Sequence, residues 1–186
     1  MERERLVDVA VSVVSRFGAQ ALNLTSVARH AGVGRATAYR VFGGRDELLA
    51  AIVDREVSVL HDKIDTWIGT VDDPREKITT LIVQVLGYIR DHEALQYLLR
   101  NEPAELVSTL VASGDDRTTD TTLVDVIVTR CLPDLDAQPE LAAALRPNAR
   151  AASEFMVRIV YSHMLIPGSS MTDEQVAQLV VDAVLR

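Results

Sequence analysis

Apolar residues recur at three- and four-residue steps along most of the chain, and that period predicts an all-α protein. Over residues 2–17 the stripe is Leu6, Val9, Val13 and Phe17, with Gly18 as the stop. A short helix ending at Ala31 buries Val27, Ala28 and Ala31, with Thr25 or the residue before it at its cap. Gly32 falls where the chain needs a left-handed residue, and Val33 is an apolar plug behind that bend. A second short helix over 35–42 turns Ala38 and Phe42 inward. A longer one starts at Asp46, which with Glu47 suits a first turn. Its stripe of Leu48, Leu49, Ile52, Val53, Val57, Leu60 and Ile64 runs to about Trp67.

GTVDDP breaks that helix, and Pro74 suits the first position of the next. Residues 74–91 place Ile78, Leu81, Ile82, Val85, Leu86 and Ile89 on one face, and residues 93–101 carry Leu95, Leu98 and Leu99. Helical pieces over 103–113 and 119–132 flank the polar GDDRTTD, an expected loop. Three prolines punctuate 133–147 and leave only ELAAAL helical. Residues 148–166 are apolar nearly all round, as in a helix buried from two sides. Thr172 and Gln175 make a capping box for a last helix over 172–185.

The stretch 24–49, LTSVARHAGVGRATAYRVFGGRDELL, has the spacing of a helix-turn-helix. Its second helix leaves Arg35, Ala36, Thr37, Tyr39 and Arg40 outward, a face suited to the major groove. Arg29, Arg35, Arg40 and Arg45 fall in a run free of Asp and Glu, within a chain of formal charge −8. Residues 1–50 hold seven Lys/Arg against five Asp/Glu, a net of +2, while the remainder holds 12 against 22, a net of −10. A solvated cationic face is the bland alternative. The AGV turn, the small residues and the apolar plugs beside the arginines favour a phosphate-facing surface, and the acidic remainder should stand away from a duplex.

This stretch resembles the DNA-binding domain of the TetR family of bacterial transcriptional regulators. The shared features are an apolar-Ala helix, AGV, a small-residue recognition helix ending in Tyr39-x-x-Phe42, a basic residue and an acidic-Leu helix start. The resemblance covers roughly the first fifty residues. It implies a helix-turn-helix DNA-binding domain over residues 1–46 and a helical ligand-binding and dimerisation domain over residues 47–186. Carried over position by position, phosphate contacts fall on Thr25 or Ser26, Thr37, Tyr39 and Arg45, and base-reading positions on Arg35, Ala36, Thr37 and Arg40. Gly34 stands where the family usually has Ser or another capping residue, a change that costs about a few tenths of a kcal/mol. Arg45 replaces the usual Lys, and a guanidinium holds phosphate bidentately. The resemblance also implies that the last two long helices pair with their symmetry mates as a four-helix bundle. A small-molecule pocket is implied in the C-terminal body, whose occupancy changes the spacing of the two readers.

The residues themselves are compatible with both. Apolar surplus at Ile159, Val160, Met164, Val176, Leu179, Val180 and Val184 points to a homodimer, the alternative being a monomer core. A two-fold dimer sets two recognition helices about 34–36 Å apart on a pseudo-palindromic operator of double-stranded DNA. Candidate pocket residues are Trp67, Tyr88, Tyr97, Phe155, Met156 and His163, although Met and aromatic side chains at helical spacing also simply pack. A lining with few charges suits an apolar or amphipathic small molecule.

Composition narrows the remaining classes. With 186 residues, 48% of them hydrophobic, the chain can bury a sizeable core. No run of about eighteen apolar residues would span a bilayer, and the charged start MERERL is unlike a secretory signal, so a cytoplasmic protein is expected. Cys131 stands alone, which leaves no internal disulfide. His30, His61, His92 and His163 are scattered, none paired with another His or Cys at ligand spacing. No phosphate loop, nucleophile elbow or paired carboxylates stand out, so no catalytic residue, metal or cofactor is expected. A helical enzyme would need a convergent polar cluster in the body, and an adaptor that kept the fold would lack salt-sensitive DNA binding. The expectation is a ligand-responsive DNA-binding repressor.

Overall fold

The computed structural model describes residues 1–111, 122–166 and 168–186. Among them run α1 (Glu2–Phe17), α2 (Leu24–His30), α3 (Arg35–Phe42), α4 (Arg45–Ile68), α5 (Pro74–Asp91), α6 (Glu93–Asn101), α7 (Pro103–Val111), α8 (Leu123–Asp136), α9 (Pro139–Ala144), α10 (Ala149–Leu165) and α11 (Asp173–Val184). No strand occurs among the described residues beyond a single antiparallel bridge, Leu145 to Leu185. No described helix is long and apolar enough to cross a membrane. The expected loop GDDRTTD, and the ends of the helical pieces predicted beside it, lie outside the described residues.

The chain divides into two compact units, Met1–Val59 with His92–Thr109, and Leu60–Asp91 with Leu110–Arg186. In the first, Leu6, Val7, Ala10 and Val14 of α1 bury against Val27 and Ala28 of α2, Ala38 and Phe42 of α3, and Leu48, Ala51 and Ile52 of α4. Fully burying a Leu such as Leu6 or Leu48 is worth about 2 kcal/mol, so this cluster holds four short segments that have little helical stability alone. The buried row of α1 lies one position away from the expected one. Val9 and Val13 pack at its edge, and Phe17 is 62% exposed. A 16-residue helix rich in apolar positions offers two adjacent 3.6-residue rows, and only packing chooses between them. The cap of α2 is also different. Asn23, in extended conformation, accepts from the Ser26 N–H at 3.1 Å, so neither Thr25 nor Leu24 caps.

The elbow between α6 and α7 grips the turn after α1. Glu102, buried at 9% exposure, accepts from the N–H groups of Ala19 at 2.7 Å and Gln20 at 3.2 Å. Gly18 lies at φ 84°, and a Cβ there would collide with the Glu102 carboxylate and Tyr97, so a glycine is required for close approach as well as for backbone conformation.

In the second unit α5 packs on α11 and α10, and α10 packs on α8. The facing rows are Ile78, Ile82, Val85, Leu86 and Ile89 of α5, Ala152, Met156, Val160 and Met164 of α10, and Val176, Ala177, Val180, Val181 and Val184 of α11. The Thr172–Gln175 capping box forms as the spacing requires. α8 runs on through Pro133 to Asp136 rather than ending at Leu132. A proline in the last turn removes a single N–H donor, and Ala137 still donates to the Pro133 carbonyl at 3.1 Å.

Burial corrects the expected partner surface. Val160, Met164, Val176, Val180 and Val184 are all buried within the chain itself, because α10 and α11 each carry an inner row that α5 and α8 cover. Leu179 of α11 at 59% exposure, Phe155 of α10 at 41% and the half-buried Ile159 of α10 remain outward.

Replacing Glu102 with Ala strands two backbone N–H groups beneath α7. Urea unfolding should show a loss of about 2 kcal/mol, within the range for unsatisfied buried donors. A midpoint equal to that of the parent protein would show that the elbow does not hold the turn.

Candidate nucleic-acid interface and interior cavity

Backbone geometry builds the helix-turn-helix first. Gly32 sits at φ 64°, the Val33 N–H donates to the Ala28 carbonyl at 2.9 Å, and Val33 is buried. Arg5 crosses from α1 to donate to the Ala31 carbonyl at 2.5 Å, closing the end of α2. Gly34 in extended conformation begins α3 without a side-chain cap, and a Cβ there would meet nothing nearer than the Thr37 hydroxyl at 3.7 Å, so a capping serine would fit.

On α3, Ala38 and Phe42 are buried while Arg35, Ala36, Tyr39 and Arg40 are exposed and Thr37 is half-exposed. The Arg35 guanidinium lies 5.5 Å from the centroid of the Tyr39 ring one turn on, a cation–π contact that pre-orders both side chains on the outer face. Thr25 and Ser26 are half-exposed in the first turn of α2. Arg3, the other cation near the start of the chain, stacks over Phe42 at 5.6 Å. Together with the bond from Arg5, this leaves neither as a free basic arm.

Arg45 stands apart from the other cations. It opens α4 half-buried, donating to the Glu105 carboxylate at 2.5 Å, the Ala19 carbonyl at 3.0 Å and the Asp46 carboxylate at 3.3 Å. No spacing in the sequence links residue 45 to residue 105, so Glu105 and Glu102 went unnoticed. The only local hint was a pair of glutamates around the Pro103 helix start.

In the second unit a cavity of about 370 Å³ lies among α4, α5, α8, α9 and α10. Its wall is aliphatic, with Ile64, Ile68, Leu81, Ile82, Val85, Ile127 and Val128 among the lining residues. Of the six expected pocket residues only Met156 lines it. Trp67 and Tyr88 meet each other edge to face at 6.1 Å, Tyr97 belongs to the first unit beside Gly18, Phe155 faces outward, and His163 is not in the wall. Trp67, Tyr88, Tyr97, Phe155 and His163 fall outside the wall because the crossing helices line this space mainly with aliphatic side chains, Met156 and Tyr161 excepted.

The polar part of the wall is concentrated. His61 Nε2 lies 2.7 Å from Asp134, and its Nδ1 lies 3.9 Å from Asp65 one turn along α4. Lys77 donates to Gln138 at 2.7 Å. Burial, reinforced by Asp134 and Asp65, pushes the Cys131 thiol up, so it is held protonated. The Tyr161 hydroxyl is buried with no hydrogen-bond partner among the described residues, and burial pushes its phenol up as well.

Residues 6–52 match the family model described as bacterial regulatory proteins, tetR family. An uncharacterized HTH-type transcriptional regulator of Mycobacterium tuberculosis is 27% identical over 183 residues, 97% of this chain and 84% of that protein. The HTH-type transcriptional regulator BetI of Rhizobium meliloti is 33% identical over 82 residues, 44% of this chain and 40% of its own length. Among solved structures, the TetR-family repressor AlkX of Dietzia sp. is similar at a TM-score of 0.72 and 20% identity, over 97% of this chain and 91% of that one. The repressor QsdR of R. erythropolis is similar at 0.67 and 22%, over 100% and 96%. These structures share the fold of an N-terminal helix-turn-helix followed by a helical domain.

Replacing Tyr161 with Phe keeps the ring and removes an unpartnered hydroxyl. Stability should hold or rise by up to about 1 kcal/mol in urea unfolding, because the desolvation of that group disappears. A clear loss would mean that the hydroxyl is bonded in solution.

Proposed function

The chain belongs to the TetR family of bacterial regulatory proteins and is a DNA-binding transcriptional regulator rather than an enzyme, and on that premise we propose a homodimeric cytoplasmic repressor of a pseudo-palindromic operator, released by an apolar or amphipathic small molecule. The observation that carries this reading is the outer face of α3. An eight-residue helix turns Arg35, Ala36, Tyr39 and Arg40 to solvent on a buried Ala38–Phe42 base, within a stretch free of carboxylates.

In this reading Arg35, Ala36, Thr37 and Arg40 meet base edges, while Thr25, Ser26, Thr37, Tyr39 and the backbone start of α3 at Gly34 hold phosphates. Arg45 holds phosphate by exchanging its bond to Glu105 for one to DNA. DNA reading falls to residues 1–46, and effector and dimer functions to residues 47–186, although the compact unit that carries the reader also takes in Glu102 and Glu105. The effector occupies the aliphatic cavity of the second unit, where Met156 is one wall residue. AlkX and QsdR are TetR-family repressors and RolR was solved with resorcinol, and their likeness in fold supports the repressor and effector roles. Release follows by population shift, since a ligand that binds one conformation better lowers operator affinity by the same differential energy.

The partner surface is the outward side of α10 and α11 at Phe155, Ile159 and Leu179. Size-exclusion chromatography with light scattering should find a dimer in the parent protein and a monomer after Leu179→Asp, with operator binding falling together with dimerisation. A monomeric parent protein that still protects two half-sites would defeat the dimer.

Fluorescence anisotropy on a selected genomic fragment and on random duplex separates the contact roles. Tyr39→Phe and Arg45→Ala should weaken both duplexes alike, with a shallower salt dependence for the lost charge. Arg35→Ala and Arg40→Ala should narrow the difference between duplexes, by about 1–3 kcal/mol for a lost bidentate base contact. Equal losses on both duplexes for all four variants would remove the base-reading assignment.

A further inference from the structure

The cavity wall holds one cluster that an apolar effector leaves unused. His61 and Asp65 stand one turn apart on α4, so both side chains leave the same face. Asp134 reaches them from α8, in the turn that continues past Pro133. One donor atom from each residue can be chosen so that all three lie within 4.8 Å of one another. All three residues line the cavity, and His61 is only about a quarter exposed, at 23%.

The two ring nitrogens of His61 have different neighbours. Nε2 lies 2.7 Å from the Asp134 carboxylate, a hydrogen bond in which the ring donates, so that in a neutral ring the lone pair falls on Nδ1. Nδ1 faces the Asp65 carboxylate at 3.9 Å. Ligands held about 2.1 Å from one ion lie roughly 3–3.5 Å apart, so a cation between Nδ1 and Asp65 needs an inward movement of about 0.5–1 Å. Asp65 is 62% exposed and free to make it. A carboxylate that accepts from the far nitrogen of a ligating histidine is a recurrent means of fixing the ring and raising its basicity.

We propose that this cluster is a divalent transition-metal site in which His61 Nδ1 and Asp65 are ligands and Asp134 positions the imidazole. One imidazole with a carboxylate suits zinc, cobalt or manganese ions, whereas magnesium prefers oxygen donors alone. The two carboxylates give the site a negative field, which also raises the neighbouring Cys131 thiol, after its burial. With only two protein ligands, several coordination positions remain for solvent or for an oxygen atom of a molecule in the cavity. The site therefore admits a chelating, oxygen-bearing effector in a cavity that is otherwise aliphatic. Metal binding does not depend on the identity of the effector or on operator recognition.

The test uses the full chain, stripped with chelator and titrated with Co²⁺ while its visible spectrum is followed, then competed with Zn²⁺ and with Mg²⁺. One Co²⁺ per chain should bind and be displaced by Zn²⁺, with Mg²⁺ roughly 100-fold weaker or worse. H61Q and D65N should each lose roughly tenfold or more in affinity, and D134N roughly 10–100-fold with an altered Co²⁺ spectrum, as expected of a residue that orients a ligand. H30Q, remote from the cluster, should bind as the parent protein does. Thermal melting of each metal-free variant separates a lost ligand from a lost fold, and the Co²⁺ spectrum of the parent protein stands on its own if a variant fails to fold. No Co²⁺ spectrum up to roughly 1 mM, Mg²⁺ binding as tightly as Co²⁺, or affinity unchanged in H61Q and D65N would each overturn the site. If the metal site fails in any of these ways, operator binding that still responds to an apolar compound leaves the effector reading intact.

Discussion

The eight-residue α3 buries only two of its positions, and much of this molecule is arranged around that limit. In α3 those positions are Ala38 and Phe42. With so little apolar surface of its own, α3 depends on its neighbours for stability. Leu6 and Ala10 of α1, Val27 of α2 and Leu48 of α4 supply the cluster into which the two side chains fit. The same limit frees the remaining six residues to face outward. Their chemistry is therefore set by what they meet there, and in this chain it is cationic, small and uncharged by turns.

Holding a thin element in place takes more than apolar contact. The turn between α1 and α2 exposes backbone donors that no helix satisfies, and Glu102 accepts two of them from a segment more than eighty positions further along the chain. Glu105, one turn later, holds Arg45. Two acidic residues of a predominantly acidic region thus sit within the compact unit that carries the cationic helix, where they neutralise orphan donors and one arginine without reaching the outer face of α3. Charge segregation in this unit is by surface and not by sequence. Arg35 and Arg40 stay outward while the carboxylates close the opposite side of the turn.

Legibility followed the locality of the interaction. The ends of α5 and α6, the bend at Gly32 and the Thr172 capping box involve residues within a few positions of each other, and each is legible from spacing, whereas α9 spans Pro139–Ala144 and so lies one residue before the expected ELAAAL. The inner row of α1 lies one position from the row its period predicts. Leu6 belongs to both possible rows, and the choice between Val9–Val13 and Ala10–Val14 depends on α2, α4 and α6, which no period encodes. Asn23 caps in place of Thr25 because the helix starts two residues earlier than a Thr25 cap requires. Pro133 was read as a terminator, yet late in a helix it removes only one bond. The extra turn of α8 brings Asp134, Leu135 and Gln138 to the cavity.

The three possible uses of an apolar stripe explain the rest. A row of Val, Ile, Leu and Met at helical spacing reads the same whether it fills a core, lines a cavity or meets another chain. In α10 all three coexist around one axis. Ala152 and Met164 are packed, Met156 and Val157 border the cavity, and Phe155 and Ile159 look outward. Chemistry separates these rows better than period does. The packed rows are almost purely aliphatic, the outward row keeps an aromatic ring, and the cavity wall alone gathers a histidine, two aspartates, a lysine, a thiol and an orphan phenol. The mostly buried His61 and the buried Tyr161 hydroxyl carry a desolvation cost that plain packing would have removed. The histidine, the two aspartates and the thiol all stand on α4 and α8, so that side of the cavity is chemically distinct from the aliphatic rest.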